Sequence, residues 1–170
     1  VATVGLSAYF LDQTVQMDGI SQAQSMVESA RNIVATYAAK AQNGEMDEKT
    51  AQEMAKATLR GMRYGDNNSE YFFVYDDKGV SVAHGGRPDL EGQLRIDTAD
   101  GKGYKYIPDL IKAAKNGGGY VYYYFPKKGG TIPFKKVTYA VYYQPWNWVI
   151  GTGFYVDEAE AEVVNTLQKM

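Results

Sequence analysis

The first third of the chain carries apolar residues at steps of three and four, the spacing of one face of an α-helix. The pattern extends back through Ile20 to about Tyr9, and Asn43-Gly44 ends it because glycine accepts the left-handed conformation beyond a helix end. Asp47 is a suitable N-cap for a second helix, which ends near Gly65. The apolar positions are Ala23, Met26, Val27, Ala30, Ile33, Val34, Tyr37, Ala38 and Ala41 in the first helix, and Ala51, Met54, Ala55, Leu59 and Met62 in the second.

From residue 71 onward the pattern is typical of strands, with aromatic and β-branched residues in short runs. Asp77-Lys78-Gly79 forms the turn of a hairpin, and Pro108 begins a short helix later in the chain. Residues 85–106 are polar and rich in glycine, which predicts an ordered functional loop. The predicted strands span residues 71–76, 80–84, 120–125, 134–143 and 148–156.

This order of elements predicts an α+β fold, with helices segregated from an antiparallel sheet. A long N-terminal helix would precede a PAS-like five-stranded sheet, with a helical crossover after the second strand. We expect three segments: residues 1–66 with the two helices, residues 67–157 with the sheet, and residues 158–170 as a C-terminal helix.

Composition and motifs argue against several classes of function. The net charge is −2 and no Lys/Arg stripe is present, so no nucleic-acid partner is expected. The chain has no cysteine and only one histidine, His84, which cannot build a usual zinc site. Residues 97–101 (DTADG) lack the alternating oxygen ligands of a calcium loop. No nucleophile elbow, dinucleotide fingerprint or carboxylate pair is present, so neither an enzyme nor a cofactor is predicted.

The membrane signal in the sequence is weak. No run of about 18 apolar residues exists that would span a bilayer. Residues 1–11 (VATVGLSAYFL) are mildly apolar and form either the first turns of a helix or the outer end of a transmembrane helix. Because the sequence begins at Val1, we expect it to be part of a longer protein.

Seven segments in a fixed order resemble the single Cache family, of the sCache_2 type found in bacterial methyl-accepting chemotaxis receptors. Two departures stand out: Gly85 replaces the proline usual after His84, and residues 66–70 lengthen the link before the first strand of the sheet. The resembling segments are residues 59–65 (LRGMRYG), 71–76 (YFFVYD), 82–92 (VAHGGRPDLEG), 100–101 (DG), 118–126 (GGYVYYYFP), 136–139 (KVTY) and 146–157 (WNWVIGTGFYVD).

The resemblance implies a sensor that lies outside the membrane, in the periplasm or the extracellular space. It implies flanking transmembrane helices and a cytoplasmic signalling module. The apolar stripe from Ala23 to Ala41 is wide enough to serve both the core and a partner copy, so we expect a homodimer through the N-terminal helix, although core packing alone explains the stripe equally well. It also implies a small carboxylate ligand such as acetate, propionate, pyruvate or lactate. The 15 tyrosines of the chain suit a small pocket that must also form hydrogen bonds.

The chemistry of a buried carboxylate indicates which side chains would bind it, because charge-assisted hydrogen bonds must replace its water. Lys136 is the candidate cation, and Arg63 could close the site from the helix end. Each residue also has a structural interpretation: an exposed lysine, an arginine that pairs with a surface acid, a core aromatic residue, or a histidine that is a structural hydrogen-bond donor. The other candidates are His84 and Tyr123 as donors, Tyr71 and Phe73 as walls, and Tyr139 or Tyr155 as a further hydroxyl.

Other functions remain open at this point. The same fold occurs on sensor histidine kinases and cyclic-dinucleotide enzymes, which the resemblance alone does not separate from chemoreceptors. A periplasmic interaction module without a small-molecule ligand is a further alternative, and an enzyme is the least supported one.

Overall fold

A computed structural model describes residues 2–156, except for the side chains of residues 2–13, 15 and 16. The predicted C-terminal helix at 158–170 lies outside the described residues. None of the helices within the described part combines the length and apolar character needed to cross a membrane.

Two helices begin the fold, α1 at Ala2–Gln42 and α2 at Glu48–Gly61. Gly44 has a φ of 77° just past α1, and the Asp47 carboxylate caps α2 by accepting a hydrogen bond from the Thr50 N–H at 2.6 Å. The predicted end of α1 and the predicted start of α2 are thereby confirmed, whereas α2 ends at Gly61, before the expected end near Gly65. The predicted apolar stripe of α1 supplies buried residues at five positions, whereas Met54 of α2 is 41% exposed. Those five are Ala23, Val27, Ala30, Val34 and Ala38.

The sheet is antiparallel and follows the order β1-β2-β6-β5-β4, with β3 also paired to β2. The short strand β1 and the strand β3 therefore pair with the same edge of β2, at its two ends. A helix, α3, crosses over before β4 at Ile107–Lys115, where Pro108 occupies the first turn. The strands are β1 Arg63–Tyr64, β2 Glu70–Asp76, β3 Ser81–His84, β4 Gly119–Pro126, β5 Pro133–Tyr143 and β6 Trp148–Tyr155.

The α+β, PAS-like fold predicted from the sequence is confirmed, with the two-residue strand β1 as an addition. Because β1 begins at Arg63, the sheet starts before the expected segment boundary at residue 66. The glycines of β6 allow close packing: a Cβ on Gly151 would lie 2.5 Å from the Phe73 ring. That ring is therefore held flat against the sheet.

The two faces of the sheet carry different layers. One face packs against α1 and α2 through aliphatic and aromatic side chains, including Val34, Leu59 and Ile150. The other face is covered by α3 and by the loop that joins β3 to α3, with Tyr106 and Leu110 in its core. This second face contains the buried charged and polar residues described next.

Candidate functional site

Lys136, in the first half of β5, is a charged side chain on the loop-covered face, and it is only 1% exposed. Its Nζ donates a hydrogen bond to the Tyr71 hydroxyl at 2.9 Å and lies 4.2 Å from the centroid of the Tyr71 ring. Three more rings lie within reach of a cation–π contact, those of Phe73 at 5.4 Å, Phe125 at 5.5 Å and Tyr155 at 5.5 Å. The structure thus rules out the alternative of a solvent-exposed lysine.

The charge of Lys136 has no carboxylate within ion-pair distance among the residues that the structure describes. Burial lowers the pKa of Lys136, and electrostatic interactions with Tyr155 and Glu70 counteract this only in part. A buried cation without a counter-ion costs stability, because desolvation disfavours its charged form. Side chains of this kind concentrate at sites of function.

His84, at the end of β3, faces the same space and is 3% exposed. Its Nδ1 accepts a hydrogen bond from the Arg87 N–H at 2.8 Å, which assigns the proton of the neutral ring to Nε2. Burial first, and then nearby positive charges, hold the pKa of His84 well below its usual range. The nearby cations are Lys136, Arg95 and Arg87. His84 is therefore a neutral donor, stacked between the Phe73 and Phe125 rings.

Two tyrosines flank Lys136. The Tyr71 ring is tightly packed, since a Cβ on Gly86 would lie 2.4 Å from it. The Tyr155 hydroxyl donates to the Pro126 carbonyl at 2.7 Å, which leaves its oxygen as an acceptor. Burial raises the pKa of both phenols, so both are neutral and protonated.

Tyr123 of β4 is a further aromatic residue on the loop-covered face of the sheet and is 4% exposed. Its hydroxyl shares a hydrogen bond of 2.8 Å with Thr138, and its ring stacks on Tyr106 with centroids 4.1 Å apart. Six of the eight predicted side chains thus lie on one face of the sheet: Lys136, His84, Tyr123, Tyr71, Phe73 and Tyr155.

Tyr139 lies elsewhere, and the prediction that it could supply a hydroxyl to this site does not hold. Side chains alternate along a strand, so a residue three positions after Lys136 points to the opposite face. Tyr139 accordingly packs against the cluster beneath α1, with Val141 and Trp146.

Arg63 is the first residue of β1, just after the end of α2, and its side chain contacts the backbone. Its guanidinium donates to the carbonyls of Arg60, Met62 and Gly85 at 2.7–2.8 Å, so its contacts tie the helix end to the segment that follows His84. The Gly85 N–H in turn donates to the Phe72 carbonyl at 2.9 Å, a bond that the proline usual at this position could not form.

Sequence reasoning missed four buried residues on this face, Arg95, Tyr75, Tyr106 and Phe125. Phe125 and Tyr75 follow from strand alternation once the face is known. Arg95 and Tyr106 come from the long loop, which has no periodicity, so no pattern in the sequence could have indicated that they point inward.

Comparison with known proteins places this geometry in a family. The model of the family described as Single Cache domain 2 matches residues 15–169, which is most of the chain. The chain belongs to the single Cache domain family. The resemblance noted from the sequence is thereby confirmed.

Two curated relatives of this Cache domain differ in the signalling protein that carries them. This domain is 29% identical over 144 residues to the methyl-accepting chemotaxis protein McpP of Pseudomonas putida, and the match covers 84% of this chain. It is 34% identical over 116 residues to the sensor histidine kinase MctS of Rhizobium johnstonii, covering 68% of this chain. The Cache domain spans only about a quarter of the length of these relatives, 26% and 25% respectively.

Two solved structures share the architecture closely. One, described as a periplasmic sensor domain of a chemotaxis protein, has a TM-score of 0.79 and 34% identity, and the match covers 84% of this chain and 98% of that one. The other, from work on carboxylic acid recognition by a Cache chemosensory domain, has a TM-score of 0.79 and 32% identity, covering 85% and 98%.

Proposed function

We propose that this Cache domain is the extracytoplasmic sensing module of a membrane chemoreceptor, and that it binds a small organic carboxylate. The observation that carries the proposal is Lys136, a cation buried among aromatic rings without a carboxylate partner in the described residues. An anionic ligand would supply the missing counter-charge, and the neutral His84 would donate a further hydrogen bond. The recognition of carboxylic acids by the similar Cache structure supports the same chemistry.

The size of the ligand limits its affinity. The best very small ligands gain about 1.5 kcal/mol per heavy atom, so acetate, with its few atoms, gains at most about 6 kcal/mol, a Kd of tens of micromolar. Such an affinity suits a sensor of nutrient acids in the environment. Acetate, propionate, pyruvate and lactate are therefore the first compounds to test.

The test is a thermal-shift screen followed by calorimetric titration. The four acids should raise the melting temperature, whereas sugars and most amino acids should not. Lys136→Met should weaken binding about tenfold or more, because it removes a charge-assisted hydrogen bond. Lys135→Met is the matched control, since Lys135 is the exposed neighbour on the other side of the same strand. A screen without any response to carboxylates would contradict the proposal and would favour an interaction module.

A second candidate is the same sensing role on a histidine kinase, which the similarity to MctS favours. The sensing chemistry is the same in both cases, but the output differs. The segment that follows the domain in the full-length protein decides between them: a HAMP segment and a long coiled coil support a chemoreceptor, whereas a kinase domain supports a histidine kinase.

We also propose that α1 forms a homodimer contact. Beside its buried stripe, Met26, Ile33 and Tyr37 are only partly covered by the sheet, which leaves apolar surface along the helix. Sedimentation analysis with and without ligand should show a dimer whose dissociation constant depends on the acid. A monomer under all conditions would refute this part of the proposal.

A further inference from the structure

Arg95 occupies an unusual place in the loop between β3 and α3. The loop runs beside β3 there, because the Arg95 N–H donates to the Gly79 carbonyl at 2.8 Å and Leu94 forms a bridge with Val80. The apolar Leu94 is 66% exposed, whereas the charged Arg95 is 8% exposed. This is the reverse of the usual orientation of such a pair.

The guanidinium of Arg95 is only partly satisfied. Its Nη1 donates to the Tyr75 hydroxyl at 2.6 Å, although a guanidinium has five N–H donors. Arg87 and Arg60, by comparison, each pair with a carboxylate, Asp89 at 2.7 Å and Glu91 at 2.8 Å. Within residues 2–156, no acidic side chain pairs with Arg95, and buried charges normally have such a partner.

A second unsatisfied group lies beside Arg95. The Tyr106 hydroxyl is buried and has no hydrogen-bond partner of ordinary geometry among the described residues, although it lies near Arg95 and the Tyr75 hydroxyl. Stacking on Tyr123, with ring planes 4° apart, fixes its direction. Buried polar groups that lack a protein partner commonly bind water, an ion or a ligand.

A cavity of about 270 Å³ adjoins both groups. The carboxylate in its lining, Asp100, is held by the backbone, accepting from the N–H groups of Lys102, Tyr104 and Tyr124 at 2.8–3.0 Å, so it does not neutralise Arg95. The lining residues that the argument uses are Arg95, Asp100, Tyr106 and Phe125.

Arg95 and Lys136 lie near the same group of aromatic rings. The Phe125 ring that lines the cavity is also 5.5 Å from the Lys136 Nζ. Lys136 lies over Phe73 and Arg95 bonds to Tyr75, two rings of one strand whose centroids are 5.6 Å apart. The two cations thus contact neighbouring aromatic side chains of β2.

We propose that Arg95, with the Tyr75 and Tyr106 hydroxyls, forms a second anion position in the site, and that the preferred ligand is a short dicarboxylate. This inference rests on the proposed function, with Lys136 at the first carboxylate. Monocarboxylates such as propionate occupy the Lys136 position alone and bind more weakly. The Arg95 guanidinium accepts the second carboxylate, and the Tyr106 hydroxyl gains the acceptor that it lacks.

The direct test compares succinate, monomethyl succinate and propionate by calorimetric titration of the unmodified protein at neutral pH. Monomethyl succinate keeps the chain of succinate but removes the second charge. Succinate should bind about tenfold or more tightly than either of the other two, the effect of one charge-assisted hydrogen bond. Equal or weaker binding of succinate would overturn the inference.

Substitutions of Arg95 test whether this residue causes the preference for succinate. Arg95→Gln should reduce the preference for succinate over propionate to less than threefold, while propionate affinity changes little. Lys105→Gln is the matched control, an exposed cation of the same loop, and it should keep the full preference. Arg95→Lys, which retains the charge without the planar fork, should keep part of the preference if Arg95→Gln fails to fold. An equal loss of both acids in the folded Arg95→Gln protein would count against a second position.

The two proposals fail in different ways. If propionate binds and depends on Lys136, but succinate has no advantage, the sensing function stands and the second anion position is wrong. If none of these acids binds, the carboxylate-sensing function itself is wrong.

Discussion

The two faces of the sheet are both buried, but they differ in chemistry. The face beneath α1 and α2 is packed with apolar side chains such as Val27, Leu59, Phe72 and Ile150. The face beneath α3 and the long loop surrounds Lys136, His84 and Arg95 with aromatic rings. Burial of apolar area stabilises the first face, whereas desolvation of two cations acts against the second.

Under the proposed function, this difference separates stability, which the helix face provides, from recognition, which the loop face provides. A cation buried without a partner lowers stability in the free state, and a bound anion reverses that cost. Ligand binding can then shift the conformational equilibrium, because it acts on the state that holds the charges in place. Changes to the helix face should therefore affect folding alone, and changes to the loop face should affect binding.

The largest expected effect on stability is on the helix face. Leu59→Ala should lower the free energy of unfolding by about 2–5 kcal/mol, because it leaves a cavity at a fully buried position. Denaturant unfolding measures it, and the folded fraction should bind ligand with unchanged affinity. Met54→Ala on the same helix is 41% exposed and should change stability by about 0.5 kcal/mol or less. A loss of ligand affinity in the folded Leu59→Ala protein would contradict the expectation that changes to the helix face affect folding alone.

Lys136→Met should have the opposite effect and raise the free energy of unfolding. It removes a buried charge and should stabilise the ligand-free protein by on the order of 1–4 kcal/mol, the range seen when buried ionic groups become apolar. Because the pKa of Lys136 is lowered in the folded state, the unfolded chain binds more protons between that pKa and the ordinary value near 10.5. The wild type should thus gain stability relative to the variant as pH rises through this window. Melting curves in a pH series measure both effects, and a destabilised variant would contradict the prediction.

The third effect is a pH dependence from His84, the only histidine of the chain. Its pKa is depressed in the folded state, so below about pH 6.5 the unfolded chain takes up a proton that the folded one does not. Stability should therefore fall with decreasing pH, by at most about 1.4 kcal/mol per pH unit from this group. His84→Asn keeps an acceptor for the Arg87 N–H, and the difference between its melting profile and that of the wild type isolates the effect. Parallel profiles from pH 8 to 5 would refute it.

The smallest effect on stability is expected at the ion pair that joins α2, on the helix face, to the long loop on the other face. Arg60 of α2 binds Glu91 of the loop with three hydrogen bonds of 2.8–3.1 Å, but both side chains are partly exposed. Glu91→Gln should therefore cost about 1 kcal/mol or less, and added salt should reduce the difference. Chemical denaturation at two salt concentrations measures it, and a loss well above 2 kcal/mol would show that this contact is structural for both faces.

Much of the fold was predictable because it depends on local signals. The stripe of α1, the cap at Asp47, the hairpin turn at Asp77-Lys78-Gly79 and the strand runs are each encoded within a few residues. The strand β1 was not predicted, because a two-residue strand has no periodicity of its own.

The candidate site was predictable only in part. Alternation along β5 and β2 correctly grouped Lys136 with Thr138, and Tyr71 with Phe73, but period two does not say which face of a sheet meets the helices. The same alternation excludes Tyr139 once that face is known. Arg63 was assigned by its type and its place at the helix end, and its position beside three carbonyls follows from how the end of α2 meets Gly85.

The sequence by itself determined the family, the order of the elements and the identity of the candidate cation Lys136, since these depend on short-range patterns and on the order of motifs. Only the tertiary structure decided that Lys136 is buried without a counter-ion, that His84 is neutral, and that the loop turns Arg95 inward while Leu94 points out. These facts depend on the distances between segments far apart in the chain and on the removal of water between them.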